Sequence, residues 1–261
     1  MKIAILYICT GKYNQFWDGF YKSSEEYFLK GKAEKEYFVF TDNMELCKDK
    51  QVHLHYRECQ GFPFDSLFRF DLFLSVEEKI KNFDYIFFFN ANMQFVKLVG
   101  EEFLPSVSDG NLAAVLHPLI LRRPFFFYSY ERNKKSLAYI PFKLGHKYRY
   151  YMGSLNGGRA KEYLELVRTC AKNTRIDYDN GIIAMVHDES HLNKYLFEHK
   201  CKALLPSYAY PEGKNMGYDP IIIIRDKVKV DPYFNKGRDT SILGKIKMVW
   251  SWIYRAILWI I

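Results

Sequence analysis

Two short polar segments of this 261-residue sequence carry side chains that could do chemistry, and the first is Asn90-Ala91-Asn92. It follows the aromatic run Tyr85–Phe89, which has the composition of a strand buried on both faces. In open α/β sheets ligands bind at the carboxyl ends of strands, so two amides at positions i and i+2 could face one crevice. Asn is also a common turn residue, and this segment alone leaves both interpretations open.

The second segment is His187-Asp-Glu-Ser-His191, which stands directly before a run with helical periodicity. Asp188 or Ser190 could be a plain helix cap, which is the alternative to a functional role. The two histidines are four residues apart and would share a helix face, as zinc ligands do. The zincin pattern requires His-Glu-x-x-His, however, whereas Glu189 is in the middle position and no third ligand is assigned. A hydrolytic zinc site is therefore disfavoured.

Three weaker signals accompany these segments. Gly157-Gly158 permits a close approach of backbone before a helix, and is also an ordinary turn signal. His53 and His55 face one side of a predicted strand and are interpreted as structural. A set of basic pairs could form a nucleic-acid surface: Arg122-Arg123, Lys134-Lys135 and Lys143 with Lys147. Since no nucleic-acid motif accompanies them, a solvated face or a surface for an anionic substrate is favoured.

The elements that must position these residues alternate between strand and helix. The predicted strands are Ile3–Ile8, Glu36–Phe40, Val52–Tyr56 and Tyr85–Phe89. The predicted helices are Asn14–Leu29, Ser66–Ile80, Ala160–Ala171 and Leu192–His199. This order indicates an α/β fold with a largely parallel sheet, in one globular domain over residues 1–240.

Composition limits the function classes. Half of the chain (49%) is apolar, which excludes a disordered or fibrous protein, and a mean hydropathy of −0.26 excludes a multi-span membrane protein. Lys and Arg outnumber Asp and Glu by 38 to 30, which favours an anionic partner. The five cysteines are widely spaced with no Cys-x-x-Cys, so we expect a reducing compartment. Because the apolar start lacks a cleavage site for export, we expect a cytoplasmic protein.

The last segment, residues 241–261, differs from the rest of the chain. It has no acidic residue, three basic ones and three of the four tryptophans. Its apolar stretch is shorter than the roughly 20 residues that span a bilayer. We expect a basic, Trp-rich amphipathic helix in the membrane interface, which would make the protein peripheral on the inner face of the membrane. A carboxyl-terminal helix packed on the core is the open alternative.

Several motifs, in their order along the chain, resemble glycosyltransferase family 6, which includes the histo-blood-group A and B transferases and the α1,3-galactosyltransferase. They are Tyr130-Glu-Arg, Ala138-Tyr-Ile-Pro141, Tyr150-Tyr-Met-Gly153, Gly157-Gly158, Asn180-Gly-Ile182 and His187-Asp-Glu-Ser-His-Leu-Asn-Lys-Tyr195. The nine-residue run is the most specific. The resemblance covers about residues 1–238 and is closest to the short bacterial, metal-independent members.

The resemblance implies a GT-A fold, in which a nucleotide-binding α/β unit is fused to an acceptor-binding half. It also implies retaining transfer of GalNAc or Gal from a UDP-sugar to a β-galactoside, often fucosylated (Fucα1-2Gal), in α1,3 linkage. The small side chains of Gly153 and Ser154 leave room for an acetamido group and favour UDP-GalNAc, with UDP-Gal as the alternative donor. The rival class is a noncatalytic sugar-binding or nucleic-acid-binding protein that keeps the fold. Of these partners, we expect the UDP-sugar and the acceptor, and no nucleic acid.

The same resemblance implies roles for individual residues. Glu189 is the expected catalytic carboxylate, as nucleophile or as electrostatic stabiliser, and the sequence leaves the two roles open. The implied donor-binding residues are Ile8, Tyr13, Arg69, Asn90, Asn92, Met152, Ser154, Asp188, Lys236 and Arg238. The implied acceptor-binding residues are Met93, His117, Ser129 and Glu212.

One departure from the family matters chemically. Vertebrate members carry Asp-x-Asp where this chain has Asn90 and Asn92, and paired carboxylates are what a hard divalent cation needs. We therefore expect metal-independent transfer without any cofactor. Basic residues of the carboxyl-terminal segment, Lys236 and Arg238, would then stabilise the departing diphosphate.

Overall fold

The computed structural model describes residues 1–235 together with Ile257 and Trp259. Ten strands are present in this part of the chain: β1 (Lys2–Ile8), β2 (Glu34–Thr41), β3 (Val52–Tyr56), β4 (Tyr85–Asn90), β5 (Met93–Phe95), β6 (Leu112–Leu116), β7 (Tyr151–Arg159), β8 (Lys202–Leu204), β9 (Tyr210–Pro211) and β10 (Ile222–Ile224). Seven of them form the main sheet in the order β3-β2-β1-β4-β7-β6-β8. The other three form a small sheet in the order β5-β10-β9.

The helices of the described part pack on both faces of the main sheet. They are α1 (Trp17–Tyr27), α2 (Phe64–Leu67), α3 (Arg69–Leu74), α4 (Glu77–Ile80), α5 (Ala160–Asp179), α6 (Asp188–Glu198) and α7 (Lys227–Val230). Helix α1 contributes to the apolar core on one face, whereas α3, α5 and α6 contribute to the core on the other. The result is a three-layered α/β arrangement.

The sheet is mostly parallel, as the alternation of elements predicts. Strand β1 pairs in parallel with β2 and β4, and β3 pairs in parallel with β2. Strand β7 is the exception, since it runs antiparallel to both β4 and β6. The register places Ile8 opposite Asn90, so β1 and β4 end at the same edge. The predicted α/β class is confirmed, and the architecture agrees with a GT-A-like fold.

Gly157 and Gly158 lie inside β7, directly before α5, and of the two interpretations left open by the sequence the ordinary turn does not apply. An added Cβ at Gly157 would be 2.2 Å from a ring carbon of Phe87, and one at Gly158 would be 2.2 Å from the Asn111 carbonyl oxygen. Real Cβ atoms do not approach other atoms so closely. The close backbone approach that the sequence suggested is confirmed.

The helices differ from the prediction at their boundaries. The segment predicted as one helix from Ser66 to Ile80 is divided into α2, α3 and α4, because Phe68 (φ −99°, ψ 24°) and Val76 (φ −115°, ψ 9°) leave the helical region. The predicted start of the first helix is a 3-10 segment, Gly11–Phe16. Helix α5 runs eight residues beyond its predicted end, and α6 begins four residues before its predicted start.

Most of the carboxyl-terminal segment, with its predicted amphipathic helix, lies outside the described residues. Trp259 is described and is buried, and its Nε1 donates a hydrogen bond to the Ile140 carbonyl oxygen at 2.7 Å. Its ring packs against Phe142 and Tyr148, with centroid distances of 5.6 and 5.2 Å. This indole is therefore packed on the core, whereas Ile257 is 51% exposed. Within the described residues, no helix combines the length and apolarity needed to cross a membrane.

Candidate active site

A cavity of about 140 Å³ opens where β1 and β4 end. It is lined by Ile8, Thr10, Tyr13, Phe62, Asp65, Ser66, Arg69, Asn90 and Ala91. Four of the predicted donor-binding residues thus come together at the sheet edge where α/β folds bind ligands. The sequence did not single out Thr10, Phe62, Asp65 or Ser66, because nothing in their local spacing marks them and only the fold brings them to the cavity.

Tyr13 lines this cavity, and residues in and near α7 contact its side chain. Lys227 Nζ donates a hydrogen bond to Tyr13 Oη at 2.8 Å and lies 4.9 Å from the centre of its ring. The ring of Phe234 packs edge-on against Tyr13, with centroids 4.9 Å apart. An ion pair between Lys12 and Asp231 at 3.4 Å adds a second connection. These contacts place basic residues of the chain beside the cavity.

Arg69 connects the cavity to a second group of polar residues deeper in the fold. Its Nη1 donates to the Gly153 carbonyl oxygen at 2.9 Å and to Asp188 Oδ2 at 2.6 Å. The guanidinium also lies over the ring of Phe88, 4.5 Å from its centre. Since Arg69 and Asp188 are both largely buried, the ion pair is shielded from solvent, and its geometry is fixed from two sides.

Asp188 and Glu189 occupy the first turn of α6, where the helix dipole favours negative charge. The preceding residue, His187, has φ 50° and ψ −124°, a conformation that non-glycine residues rarely adopt. Strained backbone of this kind persists only when its surroundings impose it, and it concentrates at functional sites. Here the strain accompanies the sharp turn that starts the helix with two consecutive carboxylates.

Both carboxylate oxygens of Glu189 accept hydrogen bonds from β7 and the residue before it. Tyr150 Oη donates to Oε1 at 2.6 Å, and the Gly153 backbone N–H donates to Oε2 at 2.6 Å. Asn193 reinforces the helix start, because its Nδ2 donates to the Glu189 carbonyl oxygen at 2.9 Å. The carboxylate therefore has a fixed orientation before any ligand binds.

Burial controls the charge of the two carboxylates. It raises the pKa of Glu189 to about 7, although the hydrogen bonds from Gly153 and Tyr150 act in the opposite direction. It also raises the pKa of Asp188, against the effect of the Arg69 guanidinium. Glu189 thus changes its charge near neutral pH, which is a property of carboxyl groups that act in catalysis.

Asn90 and Asn92 bond to each other and to the backbone. Asn90 Nδ2 donates to Asn92 Oδ1 at 3.0 Å, and Asn92 Nδ2 donates to the Arg225 carbonyl oxygen at 2.8 Å. Asn92 is only 2% exposed, and the nearby acid Asp65 accepts from the backbone N–H groups of Gln60 and Gly61. The pair offers no carboxylate charge, so its donor set does not fit a hard divalent cation.

Of the two predicted residues next to Gly153, Met152 is half-buried and Ser154 is buried. Within the described part of the chain, Ser154 Oγ has no hydrogen-bond partner. An added Cβ at Gly153 would lie 3.3 Å from Asp188 Oδ2 and 3.3 Å from Glu189 Cβ. Because Gly153 has no side chain, Asp188 and Glu189 can pack closely against its backbone.

The predicted acceptor-binding residues fall into two groups. His117 and Ser129 lie beside Tyr150, which bonds to Glu189: the His117 ring is 5.9 Å from that of Tyr150, and the Ser129 carbonyl oxygen is 3.4 Å from Tyr150 Oη. Met93 is 1% exposed in the core, and Glu212 accepts from the Asp226 backbone N–H at 2.7 Å. The structure thus brings only the first two together at Tyr150. Lys236 and Arg238 lie outside the described residues.

The two histidines of the nine-residue motif point to different environments. The His187 ring contacts Phe62 edge-on at 4.8 Å, whereas His191 is buried with its Nε2 3.6 Å from Asp177 Oδ2. Burial lowers the pKa of His191 to about 4. Among the residues that the structure describes, no three His, Cys, Asp or Glu side chains are grouped so that they could hold a metal ion.

Tyr150 is a residue of the candidate site that the sequence did not single out. It entered there only as part of a motif, although a buried Glu requires a hydrogen-bond donor from elsewhere in the chain. That requirement predicts that Glu189 has a hydrogen-bond donor, but the sequence does not identify the donor, because Tyr150 and Glu189 are 39 residues apart.

The amino-acid sequence of this chain is similar to those of known glycosyltransferases. The family model described as "Glycosyltransferase family 6" matches residues 1–229. The O-antigen biosynthesis glycosyltransferase WbnI of Escherichia coli is 36% identical over 237 residues, which cover 90% of this chain and 99% of that protein. Globoside alpha-1,3-N-acetylgalactosaminyltransferase 1 of Gallus gallus is 32% identical, over 82% of this chain and 63% of the relative. Histo-blood group ABO system transferase 2 of Rattus norvegicus is 33% identical, over 80% and 64%.

The chain therefore spans nearly the full length of the bacterial relative and just under two thirds of the two vertebrate ones. The family match covers the donor cavity, Tyr150, Gly153 and both carboxylates of α6. On the extent of this match and the level of identity, the chain belongs to glycosyltransferase family 6.

Proposed function

We propose that this protein is a retaining α1,3-glycosyltransferase that moves GalNAc from UDP-GalNAc to a β-galactoside without a divalent metal. The observation that carries the proposal is the buried Glu189 carboxylate, oriented by Tyr150 and Gly153 and linked through Asp188 and Arg69 to the cavity where β1 and β4 end. The name of the chicken relative specifies an alpha-1,3-N-acetylgalactosaminyltransferase, which supports the linkage and the sugar.

Glu189 would stabilise the positive charge that develops on the anomeric carbon. In the covalent route, a Glu189 oxygen bonds to that carbon as the carbon–oxygen bond to the β-phosphate breaks and UDP leaves with the electron pair. The acceptor hydroxyl then displaces the carboxylate, which returns to its free anionic form, and the hydroxyl proton passes to a phosphate oxygen of the departing UDP. In the front-face route, the same carboxylate stabilises the oxocarbenium-like state without bonding to it. Both routes need the charged form, which the two hydrogen bonds to Glu189 favour.

Cations of the protein would take up the negative charge that develops on UDP. Arg69 lines the cavity, and Lys227 is held beside it through Tyr13. The segment that continues from α7 leads towards Lys236 and Arg238, which we propose as further diphosphate-binding residues. Asn90 and Asn92 would contribute neutral contacts to the donor. Positively charged side chains can stabilise a leaving group in the absence of a metal ion.

The choice of donor sugar rests on Ser154 and its neighbours. The Ser154 hydroxyl is buried and has no hydrogen-bond partner among the described residues, so a hydroxyl or an acetamido group of the sugar that reached it would supply the missing bond. Gly153 takes up no space, and Met152 is half-buried beside it. These features support UDP-GalNAc, and UDP-Gal remains the alternative donor.

The acceptor would bind on the opposite side of Glu189 from the uridine, near His117 and Ser129. We propose a fucosylated β-galactoside, Fucα1-2Gal, as the acceptor. Burial lowers the pKa of His117 to about 4, so this ring is neutral at physiological pH and can bond to sugar hydroxyls without a charge. Met93 and Glu212 stay predictions for the acceptor site.

A donor panel tests the proposed function. UDP-GalNAc and UDP-Gal are each incubated with lactose and with 2′-fucosyllactose, with excess EDTA present, and the products are analysed by mass spectrometry and NMR. We expect α1,3-linked GalNAc on 2′-fucosyllactose as the main product. Faster transfer from UDP-Gal would correct the donor. The absence of both transfer and donor hydrolysis would favour a noncatalytic binding protein, and bound RNA in the purified protein would favour a nucleic-acid partner.

We also propose a cytoplasmic location with peripheral attachment to the membrane through residues 241–261. The basic and Trp-rich composition of this segment supports the attachment. Truncation after Asp239 should lower co-sedimentation with liposomes, whereas unchanged co-sedimentation would contradict a role of the segment.

A further inference from the structure

A rigid basic loop, residues 143–147, lies on the acceptor half. Leu144 at its tip is 92% exposed, between Lys143 and Lys147. The loop is closed by Tyr148, whose Oη accepts from the Lys143 backbone N–H at 2.5 Å and donates to the Lys143 carbonyl oxygen at 3.1 Å. The Tyr148 ring in turn stacks on Phe125, with centroids 4.8 Å apart. An apolar side chain is therefore held in water by a preorganised turn.

A cleft of about 400 Å³ adjoins this loop. Three cations line it, Lys147, Arg149 and Lys200, together with the rings of His146 and His199. Burial lowers the pKa of His146, so this ring adds no charge at neutral pH. The acid that lines it, Asp109, already accepts from both the backbone N–H and the hydroxyl of Ser106. Glu198, nearby in sequence, bonds to Lys194 at 2.8 Å. The surface of the cleft is therefore strongly basic, and its nearby acids are paired within the protein.

The carboxyl-terminal segment reaches the same place. Trp259 packs on Tyr148 and Phe142, which border the loop, and bonds to the Ile140 carbonyl oxygen. Trp259 is thus joined to the body beside the loop. Lys143 Nζ lies 5.1 Å from the centre of the Phe197 ring, and Phe197 and Lys147 line the cleft, so the loop and the cleft adjoin each other.

We propose that this surface, formed by Lys143, Leu144, Lys147, Arg149 and Lys200, binds a bilayer of anionic phospholipid. Leu144 would enter the interface, and the cations would contact the phosphate groups, the combination by which peripheral proteins bind anionic membranes. Nucleic acid fits less well, because recognition of single strands relies on exposed aromatic rings, and Tyr148 is buried here.

The surface also has a defined relation to the active site. Helix α6 begins with the catalytic carboxylates and ends beside the cleft, at Phe197 and Glu198. Eight residues separate Glu189 from Phe197, which is about 12 Å along a helix. Binding through this surface would hold the acceptor side of Glu189 close to the headgroups, where a membrane-borne glycan could reach it.

The test is co-sedimentation of the full-length protein with vesicles of phosphatidylcholine alone and with 30% phosphatidylglycerol (about one anionic lipid in three). The variant K143Q/K147Q/K200Q should bind the anionic vesicles about 100-fold more weakly, since each cation contributes about fivefold. The control K30Q/K48Q/K172Q removes three exposed lysines elsewhere and should bind like the wild type. Near-ultraviolet circular dichroism checks that each variant is folded.

A second pair of variants separates the apolar contact from charge. Leu144→Gln should weaken binding to the anionic vesicles about tenfold, a loss typical of one buried leucine. Leu98→Gln, at a residue that is 71% exposed elsewhere, should have no effect.

Several results would overturn the inference. The inference would be wrong if the wild-type protein did not bind anionic vesicles. It would also be wrong if the two triple variants bound these vesicles equally. Loss of RNA binding but not of vesicle binding in K143Q/K147Q/K200Q would assign the surface to nucleic acid. Neither readout requires transferase activity, so this inference can fail while the proposed reaction stands. If only truncation after Asp239 reduced binding, the tail would be the sole membrane contact.

Discussion

Two pairs of polar residues stand at the ends of elements that border the site, and they are constructed in opposite ways. Asn90, the last residue of β4, and Asn92, two residues later, are neutral, and their amide groups bond to each other and to the Arg225 backbone. Asp188 and Glu189, at the start of α6, are acids in a buried environment, held by Arg69, Tyr150 and Gly153.

The difference shows where this protein keeps negative charge. In the proposed mechanism the acids face the sugar cation, and the two amides lie beside the cavity proposed for the donor, at the position where the family resemblance implies carboxylates in the vertebrate members. Neutral amides at that position carry no negative charge that a metal ion would have to balance. Buried carboxylates, in contrast, need specific hydrogen-bond donors to remain charged. The comparison yields four substitutions: two at members of the pairs and two at residues that hold the acids.

The largest effect is expected from Glu189→Gln. The amide keeps the shape of the carboxylate and removes its charge, so the transfer rate should fall about 1,000-fold or more. Affinity for UDP-GalNAc should change little, as measured by calorimetry. Glu198→Gln, at the exposed end of the same helix, is the control and should keep wild-type activity. Turnover near the wild-type rate in the Glu189→Gln variant would assign catalysis to another residue.

Arg69→Lys should have the next largest effect. A lysine keeps the positive charge but cannot reproduce the fixed geometry by which Arg69 contacts both Gly153 and Asp188. We expect a loss of about 100-fold in kcat/KM from misplacement of the donor sugar. Steady-state kinetics with varied UDP-GalNAc measure it. A variant with unchanged kcat/KM would show that the ion pair does not position the donor.

Asn92→Asp tests the amide pair. The carboxylate cannot donate to the Arg225 carbonyl oxygen, so a buried acceptor loses its partner and the free energy of unfolding should drop by about 1–3 kcal/mol. Urea denaturation with circular dichroism detection measures this. No manganese dependence should appear, because one added carboxylate next to Asn90 is an incomplete metal site. Wild-type stability would contradict a structural role for the Asn92 amide.

The smallest effect is expected from Tyr150→Phe, and it concerns pH. Since Glu189 acts as the anion and burial raises its pKa to about 7, wild-type kcat/KM should fall as the pH drops below that value. Loss of the Tyr150 hydroxyl removes a hydrogen bond that favours the charged form of Glu189 and so raises the pKa of Glu189 further. The acidic limb of the pH profile should therefore move about one pH unit higher. Tyr148→Phe is the matched control, and an unmoved limb in the Tyr150→Phe variant would reduce Tyr150 to a packing role.

The sequence predicted the parts of this molecule that depend on local pattern. The continuous apolar runs at Ile3–Ile8 and Tyr85–Phe89 are buried parallel strands with nearly the expected ends. The motif from His187 to Tyr195 was placed at a helix, although its first carboxylates are inside the helix and not before it. Both features are encoded within a few residues of one another.

The parts that local pattern did not predict depend on distant contacts. Strand β7 was not predicted, because glycines are poor strand formers, yet only glycine fits against Phe87 and Asn111 there. Phe62 and Ser66 reach the cavity only through the packing of the short helices after β3. The bond between Tyr150 and Glu189 joins residues that no local periodicity relates.

The most direct test of the account is the metal dependence of transfer by the wild-type enzyme. Single-turnover formation of the GalNAc-containing product is followed with excess EDTA and, in parallel, with added Mn²⁺. Because the amide pair cannot replace a pair of carboxylates and cations of the protein are proposed to bind the diphosphate, we expect the same rate in both conditions. Loss of activity in EDTA that Mn²⁺ restores would contradict it.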